Sequence, residues 1–233
     1  MKLSDKTYTE VREYLKENSN LIIPVGTCEQ HGPHLPLSND ILCAEYFAEE
    51  LSKATGCLVA PTINYGVNLP CDRSFTGTTS ISKDILRKMI TEIIDWWRHQ
   101  GFRKFLMVTF HGDPFHIEAL SDISDDVYLI ELYEIDYSDI LEKQTTMKHS
   151  CEAETSIALY LYPEKVRTSL IEEKDIDFED FKKYLFHENC EKPDGYIGCL
   201  GYPKSATKEK GKILVEKIIE RTINEYRKIV FED

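Results

Sequence analysis

The densest run of chemistry-bearing side chains is Glu29-Gln30-His31-Gly32-Pro33-His34-Leu35-Pro36-Leu37-Ser38-Asn39-Asp40. In an extended chain residues two apart point to the same side, so Glu29 and His31 can present a carboxylate and an imidazole to one point. Asp40 lies eleven residues after Glu29, across a loop stiffened by Pro33 and Pro36, and can return to the same place as a bridging carboxylate. Carboxylates with imidazoles suit Zn, Mn or Fe(II) better than Ca or a thiolate cluster. A second candidate is His111, followed by Gly112 and Asp113, which allow close approach and add a carboxylate. The third is His149-Ser150-Cys151-Glu152-Ala153-Glu154-Thr155-Ser156. Each has an ordinary use as well. Loop histidines are often solvated, and Glu152 and Glu154 in a first helical turn commonly serve the helix dipole.

Position argues for chemistry. Residues 21–25 form an apolar run of the length and composition of a buried strand, and the Glu29 loop begins where that run ends at Gly26. Residues 102–110 are a nearly continuous apolar strand that runs directly into His111. Ligand sites in open α/β sheets form at such strand ends. The remaining pattern predicts helices over 7–17, 41–54, 83–100, 115–122, 152–162 and 205–230, with further strands at 58–61 and 127–132. Ser82 is the expected N-cap of the third helix, with Gly101 just past its end. Trp96 and Trp97, adjacent in that helix, read as packing residues. Strand and helix alternate throughout, which predicts a single Rossmann-like α/β/α domain over 1–233 with a mostly parallel central sheet.

Composition narrows the function classes. The 233 residues carry 28 Lys+Arg against 41 Asp+Glu, a net charge of −13, which argues against a nucleic-acid partner. With 42% hydrophobic and 11% aromatic residues the chain is globular and needs no disulfide framework to fold. Its seven cysteines contain no C-x-x-C pair and are expected as reduced thiols. No run approaches the ~18 apolar residues of a membrane span, and the N-terminus has no apolar signal core. A soluble cytoplasmic protein with a small-molecule substrate is the expectation.

Five segments together resemble the creatininase (creatinine amidohydrolase) family: P-V-G-T-C-E-Q-H-G-P-H-L-P-L-S-N-D at 24–40, F-T-G-T-T at 75–79, G-F-R-K-F-L-M-V-T-F-H-G-D at 101–113, H-S-C-E-A-E-T-S at 149–156 and G-Y-P-K-S-A-T-K-E-K-G at 201–211. The resemblance implies a Rossmann-like α/β/α fold, two divalent metal ions (Zn, Mn or Fe) and a homo-oligomer such as a hexamer. Carried onto this chain, it implies that Glu29 and His111 hold one metal, His31 holds the other, Asp40 bridges them, and His149 shuttles a proton to the leaving nitrogen. The implied activity is hydrolysis of a C–N bond in a small cyclic amide or formamide by a metal-activated water. A formamidopyrimidine deformylase, a cofactor-maturation peptidase and, from another class, a non-catalytic metal-dependent binding protein are the alternatives.

This chain departs from the family pattern at the second metal. Many members read H-G-G-N after the strand, where His111-Gly112-Asp113-Pro114 stands here. Asp113, two residues beyond His111, is expected as the remaining ligand, with Glu154 orienting His149 or a metal-bound water. Glu154, with the longer reach, competes for the ligand role. Cys28 and Cys151 replace the usual residues beside the motifs, so a thiolate nucleophile is a further reading, although the metal-water route needs none.

Overall fold

The computed structural model describes residues 1–133, 135–173, 181–184 and 191–231. Four strands, β1 (Asn20–Val25), β2 (Leu58–Val59), β3 (Lys104–Thr109) and β4 (Val127–Glu131), form one sheet in the order β2-β1-β3-β4. All pairings are parallel; Val25 stands opposite Thr109, and Thr109 opposite Glu131. Chain order therefore reverses between β1 and β3, and their carboxyl ends open a crevice at this switch point.

Alternation along the strands builds a core on each face. Ile22, Leu106, Val108 and Ile130 point to one side and pack with Phe47 and Leu51 of α2 (Asn39–Thr55), Ile157 of α5 (Glu152–Leu161), and Leu214 and Ile218 of α6 (Lys208–Phe231). Leu21, Ile23, Val25, Phe105 and Met107 point to the other. They meet Leu86, Ile90 and Ile94 of α3 (Lys83–Gln100) and Ala119 and Leu120 of α4 (Pro114–Leu120). Both faces of the sheet are covered, which is why the strands read as continuous apolar runs. The result is the α/β/α sandwich expected from the sequence. The polar α1 (Tyr8–Tyr14) starts at a capping box between Thr7 and Glu10.

Local signals place the helix ends well. Ser82 caps α3 by accepting from Ile85 N, and Gly101 closes it at φ +116°. Trp97 packs against the α3 side of the core, but Trp96 is 74% exposed. Successive helical residues turn by ~100°, so two adjacent tryptophans cannot both face the sheet. Helices α5 and α6 pack tightly: a Cβ on Gly211 would overlap the Ser156 carbonyl. Glu152, fully buried, is not a mere dipole partner, because Lys210 Nζ lies 2.6 Å from its Oε1. The six described cysteines are free thiols, and Cys190 lies outside the described residues. Among the described residues no helix is long and apolar enough to cross a membrane.

Candidate metal centre

The loop after β1 curls back on itself. Glu29 N donates to Leu37 O at 3.0 Å, closing the span that carries Pro33 and Pro36 and bringing Glu29 beside the first turn of α2. Asp40 stands in that turn, where the positive helix end favours its carboxylate. His111 enters from the end of β3, and Glu154 from the first turn of α5. All four are buried, as is His31.

These side chains form two groups that share one residue. Glu29, Asp40 and His111 bring ligand atoms within 4.8 Å of one another, and so do His31, Asp40 and Glu154. Asp40 faces both ways: its Oδ1 is 3.0 Å from His31 Nε2 and its Oδ2 is 3.2 Å from His111 Nδ1. Glu29 Oε2 is 3.1 Å from His111 Nδ1, and Glu154 Oε2 is 3.9 Å from His31 Nε2.

The outer nitrogens decide what the inner ones offer. His111 Nε2 lies 2.9 Å from Val67 O, and His31 Nδ1 lies 3.2 Å from Glu29 O. A carbonyl only accepts, so each outer nitrogen carries a proton, and in the neutral rings both lone pairs turn inward, towards carboxylate oxygens. Glu29 Oε2, His31 Nε2 and both oxygens of Asp40 are buried without a hydrogen-bond partner. Lone pair facing lone pair in a dry pocket is repulsive, and a cation between them resolves it. Behind His111, His116 accepts the Val67 N–H at 3.3 Å and packs its ring edge-on at 4.8 Å, holding the segment that orients His111.

The electrostatics carry the same message. Burial pushes Glu29 up to about 8, against the pull of His111, and Glu154 up to about 7, against that of His31. Burial opposes charge on His31, but the Asp40 carboxylate outweighs it and lifts the imidazole to about 10. Asp40 is likewise opposed by burial, and is held well below the usual carboxylate range by His31 and His111. Protein groups alone must recruit protons onto imidazoles to offset three buried carboxylates; a divalent cation supplies that charge in the proton's place.

Asp113 is not in either group. Its Oδ1 caps α4 by accepting from Phe115 N at 2.7 Å and His116 N at 3.2 Å, and its Oδ2 is buried and unpartnered at the cavity wall. Glu154 stands where Asp113 was expected. Ser150, at φ +54°, aims its N–H at Glu154 Oε2. His149 Nδ1 is 3.9 Å from Glu29 Oε1, which puts the imidazole at the edge of the cluster. Cys151 serves as the N-cap of α5, buried, with its thiol pushed up to about 12 by burial.

A cavity of about 500 Å³ opens onto this cluster. Phe110, Tyr133, Phe181 and Tyr196 supply aromatic wall, and Asp72 adds a further buried carboxylate. Gly112 is needed for that wall, since a Cβ there would come within 2.6 Å of the Tyr133 ring. None of these wall residues was expected from the sequence; the glycine after His111 was the one local trace of a ring lying across the backbone.

Buried acids and imidazoles thus cluster at the topological switch point of a parallel α/β sheet, where ligand sites form. The chain belongs to the creatininase family: residues 4–226 match the family model described as creatinine amidohydrolase. It is 30% identical over 171 residues to the 3-dehydro-scyllo-inosose hydrolase of Thermotoga maritima, covering 68% of this chain and 55% of that protein, so the match spans about half of the relative's length. It is 23% identical over 230 residues to the creatinine amidohydrolase of Pseudomonas putida, covering 86% and 85% of the two chains. A solved structure described as creatininase Mn superposes with a TM-score of 0.83 at 21% identity over 97% of each chain, which shows the shared fold.

Proposed function

We propose that this chain is a divalent-metal-dependent amidohydrolase that cleaves a C–N bond in a small cyclic amide or formamide. The observation that carries this reading is the convergence of His31 Nε2 and His111 Nδ1 on the oxygens of Asp40, with His31 Nε2 and both Asp40 oxygens buried and without hydrogen-bond partners. Glu29, His111 and Asp40 would hold one ion, and His31, Glu154 and Asp40 the other. Two such ions, Zn, Mn or Fe, would polarise a carbonyl and lower the pKa of a water to near neutrality.

The chain's own residues do the rest. The aromatic walls suit a planar ring and exclude bulk water, and the cavity volume falls in the range of small-molecule sites. That size favours a small amide over an extended peptide. His149 lines the cavity beside Glu29 and faces the reacting end. The test is metal analysis of protein purified without chelator, followed by a screen of cyclic ureides, lactams, formamides and short peptides with Zn- or Mn-reconstituted protein. Two ions per chain and turnover of a ring amide or formamide are expected. Zero metal after reconstitution overturns the metal centre; bound metal with no hydrolysis of any class supports the non-catalytic binding reading.

A further inference from the structure

Gln30 sits between two residues of the metal cluster, yet its side chain turns away from it and is 4% exposed. Its Oε1 accepts from Gly32 N at 3.0 Å. Its Nε2 lies 3.0 Å from Asp72 Oδ1 and 2.9 Å from His149 Nε2. Turning the amide over would set its carbonyl oxygen against the Asp72 carboxylate and its NH2 against the Gly32 N–H, so both neighbours fix its orientation. Gly198 walls it in: a Cβ there would overlap Gln30 Oε1.

With the amide so oriented, its two hydrogens go to Asp72 and to His149. His149 Nε2 is then the acceptor, and the ring's proton is on Nδ1, the atom that faces Glu29 Oε1 at 3.9 Å. We infer that Gln30 is a positioning residue which locks His149 as its Nδ1–H tautomer, so that His149 presents an N–H donor to the reacting end of the cavity.

Two consequences follow for the site. Glu29, His31 and His149 also bring ligand atoms within 4.8 Å of one another, but with a proton on Nδ1 the imidazole has no lone pair for a cation there. That third grouping is not a metal site. A neutral ring with Nε2 occupied by the Gln30 N–H is also poorly placed to pass its Nδ1 proton on, because doing so would leave an imidazolate. It is well placed to donate a hydrogen bond to a substrate oxygen as negative charge develops. On this inference His149 acts first as a hydrogen-bond donor to the substrate.

The kinetic arm of the test rests on the proposed hydrolase reading; the spectroscopic arm does not. Two-bond 1H–15N correlation on histidine-labelled, Zn-reconstituted protein, with His149 assigned by loss of its signals in His149→Asn, should show Nδ1 protonated and Nε2 unprotonated. Gln30→Glu places an oxygen where the N–H was, sharing a proton with Asp72; that oxygen accepts from Nε2–H and should reverse the tautomer, and Gln30→Leu should give a mixture. On the substrate found in the screen, both variants should lower kcat by ~10–100-fold with KM and metal content unchanged. A wild-type spectrum with the proton on Nε2 overturns the inference even if neither variant folds, and so does an unchanged tautomer in Gln30→Glu. Absence of turnover on every substrate counts against the hydrolase reading and leaves the tautomer result standing.

Discussion

Glu154 Oε2 stands 3.9 Å from His31 Nε2, although 123 positions of sequence separate the two residues. The contact joins the β1 loop to the start of α5 and completes a group with Asp40 in which every ligand atom is buried. Asp113 is closer in sequence to His111, but its Oδ1 caps α4 and it joins neither group. Glu154→Gln should therefore lose one ion of two, whereas Asp113→Ala should keep both and lower stability by ~1 kcal/mol through the lost cap. Metal content by plasma emission and the urea midpoint measure the two effects. Loss of an ion from the Asp113 variant, with the Glu154 variant fully loaded, would show that the ligand roles are reversed.

Asp40 is the residue that both groups share. Asp40→Ala should abolish activity and reduce affinity for both ions, while His31→Ala should weaken chiefly one. Equilibrium metal titration separates the cases, and identical retention of a single ion by both variants would argue that Asp40 serves only one position.

Ser150 holds a left-handed backbone, φ +54°, that directs its N–H to Glu154. Such a conformation costs a non-glycine residue on the order of 1–3 kcal/mol. Ser150→Gly should be tolerated with metal content intact. Ser150→Val should be destabilised by about that amount or more, and should bind the second ion more weakly. Equal thermal midpoints for the two variants would show that the turn imposes no strain.

The α5–α6 contact tests the packing away from the site. Gly211→Ala drives a methyl into the Ser156 carbonyl and should cost roughly 1–3 kcal/mol as the helices separate. Because Ser156 lies two residues beyond Glu154, activity should fall alongside stability. A denaturation midpoint matching the wild type would contradict the close approach.

What the sequence by itself determined lies within single segments. Continuous apolar runs marked β1 and β3 as buried on both faces, Ser82 and Gly101 marked the ends of α3, and the two prolines of the 26–38 loop announced that Asp40 could come back to Glu29. These are local matters, because the side-chain direction of a strand or helix repeats within a few residues. Alternation from His111 ends where Pro114 opens α4, so one oxygen of Asp113 turns to the helix amides while the other stays at the cavity wall. Tertiary structure alone decided that Glu154 reaches His31 from another segment. It also decided that Gln30 meets Asp72 and His149 at separations of 42 and 119 residues, and that Tyr133, Phe181 and Tyr196 close the cavity. Such contacts carry no periodic signal, since they depend on how whole helices and loops seat against a sheet whose core tolerates few voids.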